Sequence, residues 1–537
     1  MSDVLLPLLV AVPIIAATLP LLVGLVREDA GWPIAAVTTL SVLGMALAVA
    51  REVFAGDRLV HALGGWQRPY GIELVADELS AAVAVLVALV AVLTLVFARV
   101  AGPRGNPFYA GYLLLTGGLL GLSLTGDLFN MFVFLEIVGL TTYGLIAADR
   151  SAASAYASLK YLFLGTVGAS LYLIGVGYVF LATGSLNMID LQGAIASVGY
   201  ADPLVRAGYA FIVAGLALKI ALFPVHSWQP DAYQRAPDAV TALVAALVST
   251  TAAYALIRIT YTVFTVEFLA ANEAITTGLL LVASVSIVAG SALAAMQSDL
   301  KRMLAYSSVA QFGIVVAAVA LANETALLGA IVHLLGHGLM KFGLFLAAGL
   351  LGLGYGARTV SDLASLAERA PFTAGAYAVL GLSLVGIPPS VGFLGKWYVA
   401  LGAVEGAGGP GAVAGPTDAA GYVVVGAIFL STLFTLAYVA RLLEALYFAG
   451  AGDAGEPEPR PADRADRPET ASTAADGGRE RPLAPLSDAP RAPGVPDRVP
   501  PASLLVLVAV TLGVVALGFA GFAAAEAFEP FLGRVFA

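Results

Sequence analysis

The chain has 537 residues, of which 59% are hydrophobic and only 12% are charged, and its formal net charge is −9. This composition favours a membrane protein and gives no reason to expect a nucleic-acid partner. Because the chain contains no cysteine, it excludes disulfides, thiolate metal sites and iron–sulfur ligation by its own residues. Any redox chemistry would take place in a partner.

Apolar segments follow one another along almost the whole chain, each long enough to cross a bilayer at about 20 residues. The pattern predicts an all-α polytopic membrane protein with about 14 transmembrane helices. The first stretch has no basic leader and no small-residue cleavage site, so we expect it to be a retained helix. The predicted spans are 3–26, 33–50, 75–98, 107–125, 127–147, 155–182, 204–225, 239–264, 273–297, 302–321, 325–353, 372–403, 420–447 and 502–524.

Lysine is unusually placed in this sequence. Only five lysines accompany 22 arginines, and four of the five lie within or at the edge of apolar stretches: Lys160, Lys219, Lys341 and Lys396. A lysine at mid-bilayer costs roughly 2.5 kcal/mol or more and needs partners or water, so each is a functional hypothesis. Lys160 begins a helix, where snorkelling to the surface explains it as well as proton transfer does. The remaining lysines indicate a proton or cation pathway.

Two motifs of the first half place charges in apolar runs. Glu136 lies well inside the helix predicted from GDLFNMFVFLEI, where a carboxyl group must be either protonated or paired. Lys219 lies in GLALKIALFPVHSW, five residues before Pro224. Proline breaks the helix and frees backbone carbonyls, which are tolerated at membrane depth only beside protein or a water-filled cavity. A broken helix beside a buried lysine is typical of a transport site, although a structural ion pair and a packing kink remain alternatives.

A third motif aligns three titratable side chains on one helix. His333, His337 and Lys341, in IVHLLGHGLMKFGLF, recur every four residues and therefore share one face. Histidine is half-protonated near neutral pH, so such a stripe can pass protons along hydrogen-bonded water. The pair of histidines also resembles half of a zinc site, but no third ligand follows and Lys341 would repel the metal. No metal and no cofactor is expected; histidines buried only for packing are the remaining alternative.

The fourth motif repeats the logic of the second. In LVGIPPSVGFLGKWYVA, glycines and prolines interrupt a helix and Lys396 follows the break. Two interrupted helices with one lysine each predict two five-helix inverted repeats with broken helices 7 and 12. The predicted divisions are N-terminal helices at 1–106, a first repeat at 107–264, a second repeat at 273–447, a disordered cytoplasmic loop at 448–501, and a last helix with the C-terminus at 502–537. The loop is rich in proline, alanine, aspartate and arginine, and is interpreted as a tolerated insertion or a docking segment.

Six motifs resemble the antiporter-like subunits shared by respiratory complex I and the Mrp multisubunit cation/proton antiporters. They are TGDLFNMFVFLEI, LKYLFLGTVGASLYLIGVGYVFLATGSLNMIDL, ALKIALFPVHSWQPDAY, SDLKRMLAYSSVAQFG, HLLGHGLMKFGLF and GIPPSVGFLGKW. The resemblance runs from about residue 70 to 445. Within that superfamily, segments 64–81 and 183–191 resemble the D-type subunit of Mrp Na⁺/H⁺ antiporters more than the N-, M- or L-type subunits of complex I.

The resemblance implies roles for the residues already singled out. Glu136 would pair with Lys219, the lysine of broken helix 7. The central relay would be His333, His337 and Lys341, and Lys396 would be the lysine of broken helix 12. The implied protein is a multi-pass subunit in the plasma membrane that works with other membrane subunits, a monovalent cation and H⁺ in the lipid bilayer.

Three functions remain open from the sequence. The first is a subunit of a multisubunit Na⁺/H⁺ antiporter, which is a secondary transporter and not an enzyme. The second is a proton-pumping, non-redox subunit of complex I (an NADH-quinone oxidoreductase) or of a membrane-bound hydrogenase relative. The third is a membrane scaffold that has lost transport, which fits poorly with the retained Glu136, Lys219 and Lys396.

One position departs from the family pattern. Helix 8 of the family usually carries a lysine or histidine where this chain has Thr250, in LVSTTAAYALIR. Threonine cannot hold the proton. Water must therefore bridge Lys219 to His333 or Lys341, or the relay is altered here.

Overall fold

The computed structural model describes residues 4–56, 58–103, 105–406, 418–449 and 499–536, and nearly all of the predicted loop 448–501 lies outside them. The described residues form helices and one short antiparallel hairpin, β1 (Leu59–Ala62) and β2 (Glu73–Ala76). The helices are α1 (Leu5–Ala16), α2 (Leu19–Gly24), α3 (Gly31–Phe54), α4 (Glu78–Ala101), α5 (Asn106–Leu124), α6 (Leu128–Ile146), α7 (Ala152–Thr183), α8 (Met188–Val198), α9 (Pro203–Ile220), α10 (Trp228–Arg235), α11 (Asp238–Ile259), α12 (Thr265–Ala271), α13 (Glu273–Ala295), α14 (Leu300–Leu321), α15 (Glu324–Tyr355), α16 (Leu366–Arg369), α17 (Pro371–Val385), α18 (Val391–Gly406), α19 (Asp418–Tyr447), α20 (Pro501–Gly518) and α21 (Gly521–Phe536).

The predicted all-α polytopic membrane fold is confirmed. Within the described residues, 13 helical segments are long and apolar enough to cross a membrane, with α1 and α2 together forming one of them. The predicted span 372–403 is interrupted, as expected for broken helix 12, and is divided into α17 and α18, each shorter than a bilayer crossing. The predicted span 204–225 is interrupted as well, because α9 ends at Ile220 and the chain leaves the helix before α10.

Two halves of the chain share one backbone pattern at a spacing of 172 residues. In the first half, the amide of Leu128 donates to the carbonyl of Leu186 at 2.9 Å, and the amide of Met188 donates to Gly126 at 2.9 Å. In the second half the amides of residues 300 and 360 make the same two bonds, to carbonyls 358 and 298, each also at 2.9 Å. Both α7 and α15 have 32 residues and begin 172 residues apart. The predicted internal repeat is therefore present in the hydrogen bonding of the backbone.

The two repeats are inverted relative to each other. Five membrane-crossing segments separate the start of α5 from the start of α13, so the second repeat enters the bilayer from the opposite side. Each repeat contains one interrupted helix, and both interruptions begin with a left-handed residue, Ala221 (φ +67°) after α9 and Gly386 (φ +92°) after α17. Glycine adopts that conformation without the steric cost that alanine bears. Broken helices 7 and 12 are thus α9–α10 and α17–α18.

Three helices form the interior of the molecule. The most apolar stretches of α11, α14 and α15 are 100%, 94% and 89% buried by the rest of the chain, whereas that of α7 is only 39% buried. A polar side chain within these buried stretches is therefore enclosed by protein and does not face lipid. Buried polar groups without partners are costly, so the ones found on these three helices call for a functional explanation.

Candidate functional site

The first part of the site is a buried ion pair between α6 and α9. Lys219 lies next to the last residue of α9, just before the break, and its Nζ is 3.3 Å from Oε1 of Glu136. The lysine side chain is 6% exposed and the glutamate side chain 29%. A nearby carboxylate offsets much of the cost of keeping an ammonium group in an apolar environment. The geometry brings together the two residues that the resemblance implied would pair.

Glycine at position 139 lets the two helices approach at this pair. A Cβ atom added to Gly139 would lie 3.2 Å from Nζ of Lys219 and 3.0 Å from the hydroxyl of Tyr143. The ammonium group of Lys219 and the hydroxyl of Tyr143 therefore both lie against Gly139, about one turn of α6 from Glu136. The hydroxyl of Tyr143 is buried and has no hydrogen-bond partner among the described residues.

The broken end of α9 is stabilised by an indole ring. Nε1 of Trp228, the first residue of α10, donates to the carbonyl of Leu218 at 2.8 Å, which satisfies one carbonyl freed by the break. The ring of Tyr161 stacks on Trp228 with centroids 3.8 Å apart and planes 3° from parallel. The break is therefore held in a defined shape by side chains of α7 and α10.

The second part of the site lies on α15, where the predicted stripe is fully buried. His333, His337 and Lys341 are 0%, 1% and 0% exposed. Nζ of Lys341 donates to the carbonyl of Leu304 at 2.8 Å and to the hydroxyl of Ser307. Neither histidine has a hydrogen-bond partner on either ring nitrogen within the described chain. The stripe therefore combines a lysine that is hydrogen-bonded to α14 with two imidazoles whose ring nitrogens are all available for hydrogen bonding.

The third part is Lys396, which follows the break between α17 and α18. Its Nζ donates to the carbonyls of Leu384 at 3.0 Å and Val385 at 2.9 Å, the last two residues of α17. The lysine thus satisfies carbonyls that the interrupted helix leaves free. The preceding residue, Gly395, packs against α15 so closely that an added Cβ would lie 2.6 Å from Cβ of His333. This contact places Lys396 beside the first histidine of the stripe.

Direct contacts do not join the first part to the second. Within the described residues, no hydrogen bond or ion pair links Lys219 to His333, His337 or Lys341. The hydroxyl of Thr250 lies on α11, which packs against both α9 and α15, and it is buried and has no partner in the same part of the chain. A proton path between the two parts would therefore need water or a side chain that the sequence did not single out.

A chain of neutral polar groups lies beside that gap. The carbonyl of Lys219 accepts from Oγ of Ser249 at 3.3 Å, and Ser249 accepts from Nε2 of Gln229 at 3.2 Å. The same Nε2 donates to the hydroxyl of Tyr233 at 3.2 Å. The ring of Tyr233 contacts that of Phe345 on α15, with centroids 5.7 Å apart. These groups extend from the first lysine to the helix that carries the stripe.

The sequence analysis did not predict a buried ion pair between an arginine and an aspartate. Arg258, near the end of α11, makes two 2.6 Å bonds to the carboxylate of Asp77, the N-cap of α4. Burial alone would raise the pKa of Asp77. The attraction of the Arg258 guanidinium is stronger than this effect, and it holds the pKa of that carboxyl well below its usual value. Arg258 is the only charged residue in the predicted span 239–264, and that isolation was the available signal.

A second network was also missed, at the opposite end of the helices. Asp231 on α10 accepts from Lys160 at 2.6 Å and from Arg302 at 2.7 Å. Lys301 lies 3.1 Å from Asp238, which also binds Arg358 at 2.9 Å. Lys160 is therefore held by an ion pair with Asp231 in this structure, and no hydrogen bond or ion pair among the described residues joins it to the buried stripe.

Comparisons with known proteins identify the family and the fold. Residues 125–417 match the transmembrane family described as NADH:quinone oxidoreductase/Mrp antiporter. The N-type subunit of the NADH-quinone oxidoreductase of Desulforudis audaxviator is 41% identical over 471 residues, which is 85% of this chain and 89% of that protein. The D-type subunit of the Na(+)/H(+) antiporter of Bacillus subtilis is 32% identical over 371 residues, or 68% of this chain and 74% of that protein. A chain of the Mrp complex from Dietzia sp. DQ12-45-1b superposes with a TM-score of 0.79 at 28% identity, covering 100% and 99% of the two chains.

Proposed function

This chain belongs to the NADH:quinone oxidoreductase/Mrp antiporter transmembrane family, and on that premise we propose that it is the proton-conducting subunit of a multisubunit monovalent cation (Na⁺)/H⁺ antiporter. The resemblance predicted from the six motifs is confirmed, and the protein is a multi-pass integral membrane protein. The single observation that carries the proposal is the buried pair between Lys219 and Glu136 beside a broken helix.

The pair can hold and release a proton because its two members can separate. While Glu136 lies 3.3 Å away, the ammonium form of Lys219 is stabilised by the carboxylate. When the carboxylate moves off or is neutralised, the buried ammonium loses that stabilisation and its proton is released. We assign the proton path to Glu136, Lys219, His333, His337, Lys341 and Lys396, with no metal or cofactor taking part.

The exposed face of α6 supports a membrane partner. Glu136 lies on the same face as Phe129, Val133 and Leu140, whose side chains are 44%, 37% and 60% exposed. A carboxylate that is 29% exposed on an apolar face is costly against lipid, and it is tolerated when another protein covers it. We therefore place another subunit of a hetero-oligomeric complex on this face, in the plasma membrane.

A second function has a specific observation in its favour. The 41% identity with an N-type subunit of NADH-quinone oxidoreductase exceeds the 32% identity with a D-type antiporter subunit. A redox partner could drive the same lysines and histidines, in which case this subunit would pump protons without carrying out redox chemistry. The two functions share the path and differ only in what drives it.

The test is cation-dependent dissipation of a pH gradient in everted vesicles of an antiporter-deficient host that expresses the whole gene cluster. We expect Na⁺ to collapse the gradient with the wild-type chain and to have no effect with Lys219→Ala. The matched control is Lys160→Ala, because that lysine lies outside the proposed path and its partner Asp231 keeps Arg302 at 2.7 Å when Lys160 is removed. A gradient that responds to an electron donor but not to any monovalent cation would replace antiport with the redox-driven function.

A further inference from the structure

Tyr161 is a buried side chain on α7 that the proposed path leaves unused. It is 1% exposed, and its ring is fixed between two aromatic neighbours. It stacks on Trp228 at 3.8 Å and meets the edge of Tyr143 at a centroid distance of 4.6 Å and an angle of 85°. Its hydroxyl has no hydrogen-bond partner among the described residues. An unsatisfied buried hydroxyl costs roughly 1–3 kcal/mol, so its retention calls for a role.

A small cavity connects this tyrosine to the first lysine. The cavity measures about 10 Å³ and is lined by Tyr161 and Lys219 together with apolar side chains of α6 and α11. That volume is about the minimum that holds one water molecule, and a water there needs polar partners. Tyr161 and Lys219 are the only two of its lining residues with polar side chains. A single water molecule in this cavity would lie between these two side chains.

The inverted repeat gives an independent reason to look at this position. At the spacing of 172 residues that relates the backbone bonds of the two halves, Tyr161 falls at the position of His333. The same spacing places Gly165 at His337 and Ala169 at Lys341. Of the three stripe positions, the first alone carries a proton-transferring group in both repeats.

We propose that the hydroxyl of Tyr161 is a proton relay to Lys219, the first repeat's counterpart of His333. The inference rests on the proposed function and adds a residue to the same path. The phenol passes its proton to the cavity water while that water protonates the neutral amine of Lys219. The phenolic oxygen then takes a replacement proton from a hydronium ion on the side of Tyr233, so the tyrosine ends unchanged.

The surroundings of Tyr161 suit this role. Tyr143 and the Glu136–Lys219 pair lie on one side of it, towards α6. On the other side, Trp228 meets the ring of Tyr233 at a centroid distance of 6.4 Å, and Tyr233 is hydrogen-bonded to Gln229, whose Oε1 is buried and has no partner within the described chain. The relay therefore connects the ion pair to the neutral polar chain that runs towards α15. It also supplies a route between the repeats that does not require a basic residue at Thr250.

The test compares Tyr161→Phe with the wild-type chain in the whole complex, in the vesicle assay described above. Phenylalanine keeps the stack on Trp228 and removes only the hydroxyl, so we expect normal assembly and a proton flux that is lower by about tenfold or more. Tyr161→His, which introduces the residue of the equivalent position, should restore much of the flux. Tyr172→Phe is the matched control: this buried tyrosine of the same helix bonds the carbonyl of Leu128 at 3.1 Å, away from the cavity, and its loss should leave the flux unchanged.

The outcomes separate the relay from the proposed function. Wild-type flux per assembled complex in Tyr161→Phe, or a Tyr161→His variant as slow as Tyr161→Phe, would overturn the relay. The response of the wild type and of Lys219→Ala to Na⁺ decides antiport independently. If the wild type responds only to an electron donor, the flux of each variant is compared with that of the wild type in the donor-driven gradient. A wild type that moves protons under neither condition would overturn both proposals.

Discussion

The two inverted repeats share a backbone but differ in how they hold their lysines. In the first repeat, the ammonium group of Lys219 faces the carboxylate of Glu136 at 3.3 Å. In the second, Lys341 and Lys396 donate to backbone carbonyls and a serine hydroxyl, and neither has a carboxylate partner in the described structure. The residue 172 positions after Glu136 is Ser308, which cannot carry a charge.

This difference assigns different tasks to the two repeats. A carboxylate can change its charge or move away, so the proton affinity of Lys219 is adjustable from outside the lysine itself. Backbone carbonyls keep the same partial charge whatever the state of the protein, so the hydrogen-bond partners of the second repeat's lysines include no carboxylate that could change its charge. We infer that the first repeat sets when a proton moves and that the second repeat conducts it.

The largest effect is expected when Glu136 of the first repeat is replaced by serine, the residue at the equivalent position of the second repeat. Glu136→Ser leaves Lys219 without a carboxylate, so it should lower cation-dependent proton flux by about 10²-fold, towards background. The measurement is pH-gradient dissipation per assembled complex. Ser308→Ala is the control at the equivalent position, since among the described residues that hydroxyl donates only to Leu304 of its own helix, at 3.3 Å. Normal flux in Glu136→Ser would remove the distinction between the repeats.

The sequence predicted the charged residues of the site better than their partners. Lys219 and Lys396 were identified because a charge beside proline or glycine is conspicuous in an apolar run. The hydrogen bonds of Lys341 to α14 were not predictable, since serine and backbone carbonyls occur everywhere in such a helix. Arg258 and Asp77 are 181 residues apart, so their pairing depends on tertiary packing that local patterns do not encode.

The fold was predicted to a similar degree. Apolar length gave the helices and their number, because membrane thickness sets that length. The break at α17–α18 followed from Gly386 and Pro388, but the exact spacing of the repeats did not, because the two halves keep matching backbone bonds with different side chains. Tyr161 was not predicted, because an uncharged aromatic residue is common in membrane helices and does not stand out in the sequence.

A smaller effect is expected at the packing between α18 and α15. Gly395→Ala would bring a Cβ atom within 2.6 Å of Cβ of His333, and this overpacking should lower stability by about 1–3 kcal/mol and reduce the flux. The measurement is the thermal midpoint of the solubilised complex beside the vesicle assay. Gly177→Ala, on α7 in the first repeat, has nothing within 4 Å of the added atom and should not destabilise the protein. Equal results for both variants would show that the histidine stripe does not depend on this contact.

The smallest effect is expected at Thr250, on α11 of the first repeat. Its hydroxyl is buried and has no partner among the described residues, so Thr250→Val should leave the flux unchanged and should stabilise the protein by up to about 1 kcal/mol. Valine has nearly the same shape as threonine, which separates the loss of the hydroxyl from any change in packing. The same two measurements apply as for Gly395→Ala. A large loss of flux would place the threonine hydroxyl on the crossing between the repeats, in place of the polar groups around Gln229 and Tyr233.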